Sequence, residues 1–92
     1  MWETTDPDGH WVVLESARWR HVREDHPHLA VHVQVLLEIV AAPDQRLPGR
    51  EAGEEWFYGH NRGGPSSWIK VVVHYERVRG RIVTAFPRRS FP

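Results

Sequence analysis

Between Leu29 and Ile39 an apolar side chain stands at every second position (Leu29, Val31, Val33, Val35, Leu37, Ile39), the alternation of a half-buried strand. Helical spacing fits the same segment, because Leu29, Val33, Leu36 and Val40 make one stripe with Ala30, Gln34, Glu38 and Ala41 opposite. Pro27 suits a first helical turn, and the polar stripe and the length between the prolines favour a helix. In that helix His32 falls inside the apolar arc, which predicts a buried, hydrogen-bonded structural histidine.

The preceding stretch "SARWRHVRED" predicts another helix, with Ser16 as N-cap and Pro27 as its stop. At about 100° per residue, Trp19, Val22 and His26 share one face and Arg18, His21 and Asp25 the other. Trp19 and Val22 then face the core, His26 sits at its boundary, and His21 lies among charges in solvent.

Strand patterns dominate the remainder. "HWVVLE" follows the turn residues "TTDPDG" and predicts a short edge strand. "PDQRLPGREAGEE" is a polar connection with a short extended piece around Arg46 and Leu47, followed by the strands "EEWFYGHN", "SWIKVVVHYE" and "RIVTAF". A three-residue hairpin loop Val78–Gly80 would pair Arg77 with Arg81 and set His74 opposite Thr84. By alternation Ile69, Val71, Val73 and Tyr75 face the core, and Trp68, Lys70, Val72 and His74 share the other face. Lys70, His74 and Thr84 then line one exposed surface, whereas a two-residue loop would turn Thr84 away.

Ninety-two residues, 40% hydrophobic and 26% charged, suit one soluble domain spanning residues 1–92 with its core at about 10–87. Cysteine is absent, which excludes disulfides, thiolate metal sites and cysteine nucleophiles. The acidic start "MWETTDPDGH" is no secretory signal and the longest apolar run is four residues, so no membrane is involved and a cytoplasmic location is expected. Charge divides along the chain: residues 1–55 hold five basic against eleven acidic groups, and residues 56–92 seven basic groups against Glu76 alone. The basic half suits a phosphate backbone, and equally an acidic partner or the other half of the chain.

Lys70 is the only lysine beside eleven arginines, and it interrupts an apolar strand. His28 and His32 stand four apart, a spacing that on a helix can bind a metal with His26 as third ligand, although no HExxH pattern accompanies them. "GHNRGG" matches no phosphate-loop spacing, and a serine nucleophile elbow is absent. The chemistry left to histidine, lysine, arginine, tyrosine and threonine suits metal-free RNA cleavage. There the ribose 2′-OH is the nucleophile, and the protein supplies a base, an acid and cations.

The order of "RWRHVREDHPHL", "VLLEIVAAPDQRL", "WFY", "WIKVVVHY" and "IVTAFP" resembles the phage branch of the barnase-EndoU-colicin-RelE nuclease superfamily over about residues 10–87. That resemblance implies an α+β fold with two N-terminal helices on one face of a four-stranded antiparallel sheet, with room for a short N-terminal edge strand, and a nucleic-acid cleft on the other face. It assigns catalytic positions to His21, His26, Tyr58, Lys70 and Thr84. His28 replaces an acidic residue common after His-Pro, and "GREAGEE" is an acidic approach to the tyrosine strand. His26 is the favoured proton carrier, because Pro27 restricts its backbone, and His21 is second. Lys70 and Arg81 would hold the phosphate, although Arg81 faces away from Lys70 in the pairing above. Tyr58 and Thr84 would hydrogen-bond the phosphate, and His74 and Trp68 would contact substrate.

The expectation is a small endoribonuclease without metal or cofactor, a toxin of a toxin-antitoxin pair or a phage-derived effector, with RNA and a cognate antitoxin or inhibitor as partners. The alternative is a non-catalytic module that binds RNA or an acidic protein through the basic half, with Trp56, Tyr58 and Trp68 as stacking platforms. Metal binding at His28 and His32 is a third reading.

Overall fold

The computed structural model describes residues 1–92. Its strands are β1 (Trp2–Thr5), β2 (Trp11–Leu14), β3 (Gln45–Pro48), β4 (Glu54–His60), β5 (Trp68–Glu76) and β6 (Arg79–Arg88). Two helices, α1 (Ser16–Asp25) and α2 (Val33–Ala41), and a 3-10 turn at Pro27–Leu29 lie between β2 and β3. All six strands join one sheet in the order β1-β2-β6-β5-β4-β3.

This corrects the expected four-stranded antiparallel sheet. β1 and β2 add a hairpin to it, and β2 pairs in parallel with β6 through Val12–Gly80 and Val13–Arg81, which makes the sheet mixed. β2 is therefore an internal strand and β1 the edge. Four residues of β1 are too few to display a period, and a parallel pairing across a long crossover leaves no local signature.

Val12, Leu14, Phe57, Ile69, Val71, Val73, Ile82 and Ala85 form the sheet side of the core. Trp19 and Val22 of α1, Leu29, and Val33, Leu36, Leu37, Ile39 and Val40 of α2 cover them. Gln34, Glu38 and Ala41 face solvent, so the helical stripe explains α2. The helix starts later than its pattern because Ala30 adopts a left-handed conformation (φ 47°) after the 3-10 turn. His32 is consequently neither helical nor buried. It is the exposed N-cap of α2, its Nδ1 accepting from the Gln34 N–H at 3.1 Å. Glu15, rather than Ser16, stands at the N-cap position of α1.

The β5–β6 connection also differs from the expected loop. Glu76 pairs with Arg79 around a two-residue turn, Arg77-Val78, with Arg77 at φ 59°. His74 accordingly pairs with Arg81, not Thr84. A bulge then inserts one residue: Val73 pairs with Ile82 and Val72 with Thr84. The shorter turn brings Arg81 onto the His74 face, and the extra residue restores Thr84 to it. No helix is long and apolar enough to cross a membrane.

Candidate active site

Beyond Arg81, β6 has no strand partner other than β5, and α1 lies beside that free edge. Arg18 and His21, one helical turn apart on the exposed side of α1, meet Arg81, Ile82 and Val83 around a cleft of about 260 Å³ that Glu15 also lines. Arg81 additionally lines a neighbouring cleft of about 170 Å³ with His74, Glu76 and Arg79. Arg81 is thus the one residue that borders both clefts, one holding His21 of α1 and the other His74 of β5. Arg46 and Arg62, by contrast, are held by carboxylates at 2.8 Å (Glu55) and 3.2 Å (Asp44). His74 Nδ1 is buried without a hydrogen-bond partner in the chain, a group that an incoming acceptor or donor would satisfy.

His26 caps α1 and is half-buried, with its ring centroid 5.4 Å from that of Phe86. Thr84 is half-buried on β6, between Val83 of the His21 cleft and the Phe86 that packs on His26. Both helix histidines therefore lie along the same edge of the sheet.

Lys70 is not on an exposed surface, contrary to expectation. It shares the face of Trp68 and His74 but is only 9% exposed, its ammonium 3.3 Å from the Trp56 ring centre and 5.5 and 5.8 Å from those of Phe86 and Tyr58. Burial first, then the Arg88 and Arg50 charges, pull its pKa below the usual lysine value against the opposing Glu54. Phe86 separates His26 from Lys70, touching each. Tyr58 is 1% exposed, walled by Trp68 and Phe91, and burial raises its phenol against the opposing charge of Arg88. Trp68 is half-buried and stacked on His60 at 4.3 Å and 19°. Arg81 thus lines one cleft with His21 and a neighbouring one with His74, Thr84 lines neither, and Lys70 and Tyr58 stand in an aromatic layer.

No protein-family model, curated protein or solved structure matches this chain.

Arg18 and Arg79 were missed as site residues. Arg18 was within reach of sequence reasoning, since its spacing from His21 places both on one helix face. Arg79 required the turn length. A second polar cluster was also missed: Asp6, whose side chain is fully buried, accepts from Tyr75 Oη at 2.6 Å and from the backbone N–H of Asp8 and His10 at 2.9 Å each. Burial pushes its pKa up, but these three donors and the nearby Arg46 outweigh it and hold the carboxyl below its ordinary range. Asp6, Asp8 and His10 bring ligand atoms within 4.8 Å of one another. Arg46 lies 3.6 Å from Asp6 and 2.9 Å from Asp8, so a guanidinium already neutralises the group. The proposed helical His28/His32 metal pair fails on geometry, because Ala30 breaks the helix between them and Gln34 engages His32.

Proposed function

We propose that this chain is a metal-independent endoribonuclease acting at the cleft between α1 and β6. The observation that carries the reading is that Arg81, which forms no ion pair, lines both the His21 and the His74 clefts. Neutral His21 takes the proton of the ribose 2′-OH, and the 2′-oxygen attacks phosphorus. The P–O5′ bond breaks as protonated His74 gives its proton to the 5′-oxygen, leaving a 2′,3′-cyclic phosphate and a 5′-OH. Arg81 and Arg18 neutralise the phosphorane oxygens as charge develops. Histidine is suited to both proton transfers because its ordinary pKa is near neutrality. RNA is the partner, and growth arrest relieved by a cognate inhibitor is the expected cellular behaviour of a toxin built this way.

The test is cleavage of total RNA in EDTA with end-group analysis. His21→Ala and Arg81→Ala should each lower the rate by about 10²-fold or more, and His26→Ala, removing a ring that packs on Phe86 and lies outside both Arg81 clefts, should fall well short of that loss. Full activity in Arg81→Ala, or none in the wild type, removes the proposal.

A further inference from the structure

The face of the sheet turned away from the helices carries a second feature some distance from Arg81. Along β5 from His74 to Trp68 is six residues, about 20 Å. There Tyr58 and Trp68 meet at a right-angled corner, ring centroids 6.5 Å apart and planes at 80°. Trp68 is backed by His60, stacked on it at 4.3 Å. The corner is filled by Phe91, which follows β6: its ring meets Tyr58 edge-on at 4.8 Å and 89°, and lies 5.4 Å from Trp68 at 32°. Arg88, paired with Trp68 across the sheet, donates from Nη2 to the Pro92 carbonyl at 2.6 Å and so holds the segment down.

We propose that the Tyr58–Trp68 corner is a nucleobase subsite for single-stranded RNA, occupied in this structure by Phe91 of the segment that follows β6. A six-membered planar ring with one wall to stack on and one to meet edge-on is the shape Phe91 demonstrates. Every nucleobase presents such a π-face, so the subsite is sequence-tolerant. When the segment lifts, Arg88 loses its carbonyl partner and becomes available to the phosphate beside the stacked base. The inference rests on the reading of RNA as ligand, and adds to the reaction centre an anchor several nucleotides away along an extended strand.

The experiment uses a 2′-O-methyl hexaribonucleotide with central 2-aminopurine, which cannot be cleaved because its 2′ oxygens carry no proton, and the same oligomer abasic at that position. Both are titrated into wild type, Phe91→Ala and Phe91→Ala/Trp68→Ala, with thermal melts confirming each fold. Phe91→Gln, too polar to remain in the corner, serves as a second opening variant. Opening the corner should tighten binding of the 2-aminopurine oligomer about tenfold, which converts to about 1.4 kcal/mol and lies within the range for one base on one aromatic platform. Its fluorescence should be quenched, and the double variant should lose both effects. Equal affinity for the base-bearing and abasic oligomers in both opening variants overturns the subsite. Cleavage is scored separately on unmodified RNA: cleavage without quenching removes the subsite and leaves the reaction centre, and quenching without cleavage does the reverse.

Discussion

Asp6 ties β1 and its turn to β5, and replacing it by alanine should expose how much that tie contributes. The carboxylate is fully buried and accepts a 2.6 Å hydrogen bond from Tyr75 Oη, a bond to a charged group worth about 1.5–3 kcal/mol. The Asp8 and His10 N–H groups belong to an exposed turn and can recover water, and Arg46 keeps Asp8 and Glu55. The uncompensated loss in Asp6→Ala is therefore the orphaned Tyr75 hydroxyl, about 2–3 kcal/mol. At about 4–8 °C per kcal/mol for a domain of this size, Tm should fall by about 8–24 °C. Urea denaturation in a cycle with Tyr75→Phe isolates the pair: the second substitution should cost little once the first is made, giving a coupling of about 1–2 kcal/mol. Because the folded carboxyl titrates below its ordinary value, its contribution is present at neutral pH and is lost as pH falls through the carboxylate range. The stability gap between wild type and Asp6→Asn should close over that window. Additive single-variant costs, or a loss under about 0.5 kcal/mol in Asp6→Ala, would refute the reasoning.

Lys70→Met should unfold within about 1 kcal/mol of wild type, since losing the cation–π contact with Trp56, about 0.5–2 kcal/mol, is offset by no longer burying an ammonium. Its RNA cleavage should stay within a few-fold of wild type, whereas a hundredfold loss would return Lys70 to the reaction centre. Since burial lowers the Lys70 pKa, the wild type should gain stability relative to Lys70→Met as pH rises toward the ordinary lysine value. Gly53 sits at φ 82° and a Cβ there would lie 2.7 Å from the Tyr75 backbone oxygen, so Gly53→Ala should cost about 1–3 kcal/mol in denaturant titration.

Local periodicity was legible wherever an element made its own pattern. Ile69, Val71 and Val73 are buried on one side of β5 and Trp68, Lys70 and His74 share the other, as alternation requires. Trp19 and Val22 face inward from α1, and Arg18 and His21 outward to one cleft. His32 was misjudged because a break at Ala30 depends on how the chain turns out of α1, not on apolar spacing. Exposure was misjudged at Lys70 and Tyr58 for a different reason: which face is open follows from alternation, but whether Trp56, Phe86 and Phe91 close over it depends on three other segments.

The sequence by itself determined which side of each long element is apolar, and where the strands from Glu54 to Arg88 begin and end to within a few residues. These properties arise from interactions a few residues apart. Only the tertiary structure decided that β2 lies parallel to β6, that a two-residue turn and a bulge carry both Arg81 and Thr84 to one face, and that His21 rather than Lys70 shares a cleft with Arg81. Each of these is a pairing between distant segments, selected by burying the common core rather than by any local preference, and a one-residue change in register would have reversed the outcome.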